Sequence, residues 1–174
     1  MEPASSTPTS PKFAGFDAFY ARNLPVVYGY LLRLCGGRID QAQDLTQETW
    51  LVFVDHLRAG HDPPPDTGWL IAVARSRYID QWRRRRRLNR KLALVWASQR
   101  SSSDTQESEP SHAELSTYLP ALAADHRLVL TLRYIDCLGV PAIAELVERT
   151  TSATYSLLAR ARAELKSQVA GETS

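Results

Sequence analysis

Between Arg75 and Lys91 the chain carries nine basic residues and one acid, Asp80, a local charge of +8 in a protein whose net charge is +2. The remaining residues sum to −6, so this one segment sets the sign of the whole. A block of like charge repels itself and is stable when solvated or held against a polyanion. Trp69, Tyr78 and Trp82 are interleaved with Arg75, Arg77, Arg83, Arg84, Arg85, Arg86 and Arg87. Rings stack on exposed bases and guanidinium groups neutralise phosphates, so the pattern points to a nucleic-acid partner. For Trp69 and Tyr78 taken singly, a place in the core is the simpler expectation; the arginines are harder to dismiss.

A second constellation lies upstream. Asp44, Gln47, Glu48, Leu51 and Asp55 form a helical stripe set about 100° from the apolar stripe of Leu45, Thr49, Val52, Phe53 and His56. One helix thus offers two faces, and in an arbitrary helix the polar one would simply be solvated. Residues for bond-breaking chemistry are absent from the pattern. There is no Walker loop, dinucleotide fingerprint, HExxH or G-x-S-x-G, and His56, His61, His112 and His126 have no ligand spacing. No catalytic residue, metal or cofactor is expected, and the chain reads as a non-enzyme. His56 is expected to be a packed, hydrogen-bonded core residue. Cys35 and Cys137 lie far apart and are expected to be buried apolar residues rather than a disulfide or zinc site.

The elements that must carry these faces are helical. The 174 residues, 44% hydrophobic and 23% charged, suffice for one mid-sized or two small globular domains. Prolines outline the chain: Pro3, Pro8 and Pro11 in the N-terminal tail, Pro63, Pro64 and Pro65 in one loop, Pro110 in a linker, and Pro25, Pro120 and Pro141 each suited to a first helical turn. Phe16, Phe19, Tyr20, Val27, Tyr30, Leu31 and Leu34 predict a helix that stops at Gly36-Gly37. A second runs from about Asp40 to Arg58, and a third from a cap at Asp66 or Thr67 to about Lys91. Residues 97–114, with six serines and four acids, read as a flexible connection. Beyond it a helix from Asp125 to Ile135 precedes a short one, Pro141 to Val147, and a longer one from about Ser152 to Val169, a helix-turn-helix pattern. The fold class is therefore all-α, two small helical domains at 13–96 and 114–169, joined by a linker at 97–113, with tails at 1–12 and 170–174. Residues 1–100 carry +6 and residues 101–174 carry −4. No run of about 18 uncharged apolar residues is present, so no membrane insertion is expected. The N-terminus lacks the apolar region of a secretory signal, which gives a cytoplasmic expectation.

The run Asp44-Leu45-Thr46-Gln47-Glu48-Thr49, preceded by the aromatic/leucine helix and followed by Trp69-Leu70-Ile71-Ala72-Val73-Ala74-Arg75 and the arginine tract, resembles region two of the extracytoplasmic-function branch of the sigma-70 family. Arg127 to Tyr134, Ile143 to Leu146 and Ala159 to Leu165 resemble region four of that family in their apolar frame. The resemblance implies a factor that directs bacterial core RNA polymerase to promoter DNA. It implies docking on the β′ clamp helices through Asp44, Gln47, Glu48 and Leu51. Recognition and melting of the minus-ten element would fall to Arg58, His61, Trp69, Arg75, Ser76, Tyr78 and Arg83 to Arg87, with Ser76 where many relatives have Asn. Contacts to the minus-thirty-five element would fall to Ser152, Tyr155, Ser156, Arg160 and Arg162, and Tyr155 and Leu157 replace residues that are usually basic. An anti-sigma partner is a further implication. A stand-alone helix-turn-helix regulator is the alternative, and an RNA-binding protein a third class. The first is disfavoured by the depleted charge at Tyr155 and Leu157; the second leaves the Asp44–Thr49 run unexplained.

Overall fold

The computed structural model describes residues 15–60, 65–92 and 110–171. The elements are α1 (Phe16–Leu34), α2 (Ile39–Arg58), α3 (Thr67–Leu92), α4 (His112–Tyr118), α5 (Ala124–Leu130), α6 (Val140–Leu146) and α7 (Thr151–Gly171). A 3-10 turn at Leu119–Ala121 precedes α5, and a π-turn at Thr131–Ile135 follows it. No strand occurs among the described residues, so the all-α expectation holds.

In the first three helices most of the predicted periodicity is the buried one, while Phe16, Phe19, Val52 and His56 are half-buried and Tyr20 is exposed. Val27, Tyr30, Leu31 and Leu34 of α1 pack with Leu45, Trp50 and Phe53 of α2 and Leu70, Ala74 and Tyr78 of α3. The two threonines on α2's buried face are satisfied locally, Thr46 Oγ1 donating to Ala42 O and Thr49 Oγ1 to Leu45 O, each at 2.7 Å. Helix α1 stops where the glycines require it: Gly36 and Gly37 take φ of 65° and 77°, and Gly37 N–H donates to Leu32 O at 3.0 Å. Asp66 is the cap of α3, its Oδ1 accepting from Trp69 N–H at 2.7 Å. Pro25 departs from expectation and sits in the interior of α1. Its missing N–H frees the carbonyl of exposed Ala21 to solvent, which limits the cost of a proline there.

The second unit differs from the sequence reading in three places. Helix α4 begins at His112, inside the stretch read as linker, on a capping box of Ser111 and Glu114. The Ser111 hydrogen bonds hold the Glu114 carboxyl below its ordinary range. The helix expected from Asp125 to Ile135 widens after Leu130 into the π-turn, with Asp136 N–H reaching Thr131 O and Leu138 N–H reaching Leu132 O, both at 2.9 Å. The chain then reverses at Cys137, whose φ of 55° is left-handed, so Gly139 is left as the extended N-cap of α6. Cys137 is consequently exposed rather than buried, whereas Cys35 is buried and desolvation pushes its thiol up to about 11.

The two units do not stand apart. Arg127 of α5, 5% exposed, reaches across to the last turn of α1: Nε donates to Leu34 O at 2.8 Å while Nη1 donates to Leu122 O at 2.8 Å and Pro120 O at 3.1 Å. Gly36 leaves the room for it, because a Cβ there would lie 2.4 Å from Arg127 Nη1. Gly36→Ala is therefore expected to destabilise the protein twice over. The left-handed backbone alone costs about 1–2 kcal/mol, and the guanidinium must also move off Leu34 O. A urea unfolding midpoint measures the sum, and an unchanged midpoint would show that Arg127 is not held in this way.

Candidate docking groove and nucleic-acid interface

Asp44, Gln47, Glu48 and Leu51 lie along one exposed edge of α2, and Leu51 is 64% exposed. Beside them an open groove of about 880 Å³ separates α1 from α2, lined in part by Tyr20, Leu24, Pro25, Gln47, Trp50 and Leu51. Tyr20 lies tilted on Trp50 with ring centroids 4.6 Å apart. The Trp50 indole N–H is buried and has no acceptor among the described residues. An apolar trough edged by two carboxylates and an amide has the form that receives a helix of complementary charge. The unsatisfied indole donor adds a place for an acceptor from outside.

Periodicity divides the arginine tract. Arg84 and Arg87 are exposed, as is Arg85, whose Nη1 donates to Gln41 Oε1 at 3.1 Å. The other face of α3 is turned towards the second unit. Arg75 Nη1 lies 3.4 Å from Asp136 Oδ2, which also accepts from the Tyr30 hydroxyl at 2.9 Å. Burial of Asp136 raises its carboxyl pKa more than Tyr30 and Arg75 lower it, and burial raises the Tyr30 hydroxyl as well. Arg83 donates twice to Leu146 O, at 2.7 and 3.1 Å, and lies 3.3 Å from Glu148. Arg86 donates to Val147 O at 3.0 Å and covers the Trp82 ring at 5.1 Å. Trp82 Nε1 donates to Asp125 Oδ1 at 2.9 Å.

The aromatic residues of this face are less available than their spacing suggests. Tyr78, expected among the base contacts, is 2% exposed and belongs to the core. Its hydroxyl is also shifted up by burial. Trp82 is buried as well. Trp69 is half-buried against Phe53 and His56, with His56 at 4.9 Å, which agrees with the packed role expected for His56. Ser76 is exposed on α3, and exposed Arg58 sits 3.6 Å from Asp55, a surface pair of small energetic weight. His61 lies outside the described residues.

On α7, Ser152, Tyr155 and Ser156 form an exposed N-terminal patch, with Tyr155 58% exposed. Arg160 is half-buried, its Nε donating to Ser156 O at 3.3 Å, and Arg162 is half-buried with a buried Nε that has no acceptor among the described residues. Leu157, read from sequence as a DNA-facing position that has lost its charge, is 3% exposed and packs in the core. Only Tyr155 is therefore an exposed replacement. Among the described residues no group of His, Cys, Asp and Glu is placed to hold a metal, and no helix is long and apolar enough to cross a membrane.

Fold and site together define an all-helical protein of two units, with an open groove between α1 and α2 and an arginine-rich helix facing the second unit. The chain matches the family models of sigma-70 region 2 over residues 19–88 and of sigma-70 region 4 over residues 112–165. It is 32% identical over 125 residues to the ECF RNA polymerase sigma factor SigL of Mycobacterium tuberculosis in three strains, including H37Rv and CDC 1551, covering 67% of each chain. The solved sigma factor RpoE of Bartonella quintana, in complex with the anti-sigma factor NepR, aligns at 20% identity and a TM-score of 0.49 over 88% of this chain and 96% of that one. The chain belongs to the extracytoplasmic-function sigma factors of the sigma-70 family. Such proteins direct RNA polymerase to promoters and are initiation factors rather than enzymes.

Proposed function

We propose that this sigma factor docks on the β′ clamp helices of core RNA polymerase through Asp44, Gln47, Glu48 and Leu51, and that α3 then engages the minus-ten element. The observation that carries the reading is the exposed acid-and-amide edge beside an apolar groove. Arg84, Arg85 and Arg87 meet phosphate first; Arg75, Arg83 and Arg86 join once freed from the second unit. Arg58, His61, Trp69 and Ser76 flank the flipped base. Neutralising one phosphate contributes about 1 kcal/mol at physiological salt, and unstacking costs about 1.4 kcal/mol per step. Several arginines on one rod therefore offset the opening of a few base pairs. Ser152, Tyr155, Ser156, Arg160 and Arg162 contact the minus-thirty-five element, and the connection at 97–113 tethers the two regions so that each raises the other's effective concentration.

Polymerase and promoter place this action in the cytoplasm. An anti-sigma factor that covers the α1–α2 groove or the arginine face would silence the chain. Run-off transcription on genomic fragments with purified core polymerase tests the reading: start sites that depend on this chain are expected. Tight sequence-specific binding by the chain without polymerase would instead support a stand-alone regulator.

A further inference from the structure

Where α2 begins, α3 nears its end and α5 approaches both, a cavity of about 420 Å³ opens at the surface. Arg38 lines it from the N-cap of α2, Arg85 and Arg86 line it from α3, and exposed Asn89 stands one turn beyond Arg85. Two of these guanidinium groups are held in place. Gln41, which is buried, accepts from Arg85 Nη1 at 3.1 Å through its amide oxygen and donates its amide nitrogen to Gln81. Arg86 lies over the Trp82 ring and donates to Val147 O. Both acceptors are neutral, so these bonds fix position without cancelling charge. The one carboxylate among the described residues of the wall, Asp125, is already committed: Oδ1 accepts from Trp82 Nε1 at 2.9 Å and Oδ2 from Arg149 Nη2 at 3.0 Å. Arg38 and Arg85 make no ion pair among the described residues. Burial raises the nearby Cys35 thiol, and Arg38, Arg127 and Arg85 pull it part of the way back, so cations converge at this end of the first unit.

Like charges gathered around a space of this size favour an anion within it, and guanidinium forks match phosphate oxygens bidentately. Tyr78 and Trp82, the two rings on the wall, are both buried and offer no open face for a base to stack on. Charge and hydrogen bonding therefore select the ligand. We propose that this cavity binds a free, compact phosphate-bearing anion of about the size of pyrophosphate, held by Arg38, Arg85 and Arg86 with the Asn89 amide at the mouth. The site stands apart from the promoter contacts, since Arg38 and Asn89 belong to none of them.

The test titrates the full chain with sodium pyrophosphate in a calorimeter, in phosphate-free buffer at constant ionic strength. One-to-one binding is expected. Arg38→Gln removes an exposed side chain that caps nothing and should weaken binding about tenfold or more, the scale of one lost charge-assisted hydrogen bond. Asn89→Asp sets a carboxylate at the mouth and should also weaken binding; it decides if Arg38→Gln is misfolded by circular dichroism. Arg22→Gln, on α1, and Arg84→Gln, on α3, each remove an exposed cation from outside the cavity. Both should bind pyrophosphate within about twofold of wild type, because a solvated charge away from the ligand is largely screened. Fluorescence anisotropy with a single-stranded oligonucleotide separates a free anion from a nucleic-acid backbone as the source of the phosphate: Arg38→Gln should leave that affinity nearly unchanged. Three results would each overturn the proposal. They are no saturable binding at about millimolar pyrophosphate, a loss in Arg84→Gln equal to that in Arg38→Gln, and a loss of oligonucleotide binding in Arg38→Gln as large as its loss of pyrophosphate.

Discussion

The double variant Asp44→Ala, Glu48→Ala is expected to lose co-elution with core RNA polymerase, with an affinity loss of a hundredfold or more. Both carboxylates are exposed on α2, one turn apart, beside the α1–α2 groove. Truncating one partner of a charge pair that becomes buried in an interface costs roughly 2–5 kcal/mol, so even partial additivity between neighbours exceeds about 3 kcal/mol. The fold should not notice. Neither residue faces the core, and exposed substitutions of this kind stay within about 0.5 kcal/mol. Equal urea midpoints together with lost co-elution would locate the effect at the interface. Wild-type co-elution by the variant would remove α2's acidic edge from the docking surface.

The exposed acid-and-amide edge of α2 was legible from sequence because a single helix carries it: spacing alone fixes which residues share a face, and Leu45, Thr49 and Phe53 are buried while Asp44, Gln47 and Glu48 are exposed, as that spacing requires. The stops at Gly36-Gly37 and the cap at Asp66 were legible for the same local reason. The capping box at Ser111 and Glu114 was equally local, but it was hidden within a serine-rich stretch whose composition suggests a linker. What spacing does not reveal is which long-range partner covers a face. The tract Arg83 to Arg87 looks uniform as a string, yet the helical turn sends Arg83 and Arg86 to carbonyls some sixty residues away and leaves Arg84 and Arg87 exposed. Tyr78 and Leu157 were misplaced for a related reason. Each lies within the buried stripe of its helix, Tyr78 with Leu70, Ala74 and Trp82 on α3 and Leu157 with Thr154, Leu158, Ala161 and Leu165 on α7. The left-handed turn at Cys137 had no sequence signal, since Gly139 was the residue with the freedom to make it.

That division of the tract sets the second large effect. Arg84→Gln, Arg85→Gln and Arg87→Gln together remove three exposed cations from α3. Each phosphate contact releases about 0.9 counterion from duplex DNA, which amounts to about 1 kcal/mol at 0.15 M salt. Holoenzyme carrying the triple variant is therefore expected to bind its promoter about a hundredfold more weakly. The slope of log K against log salt should become shallower by about 2.7 for duplex contacts, or about 2 if the contacts fall on the melted strand. The loss should be similar across promoter sequences, because phosphate contacts position the protein without reading bases. Arg83→Gln with Arg86→Gln should behave differently in the free chain. It removes two cations from DNA but also cuts the bonds to Leu146 and Val147 that hold the units closed. Its binding loss without polymerase should therefore be smaller than two phosphate contacts imply, and the full loss should emerge only in holoenzyme. Equal losses in both settings would mean that these two side chains meet DNA as freely as Arg84 and Arg87 do.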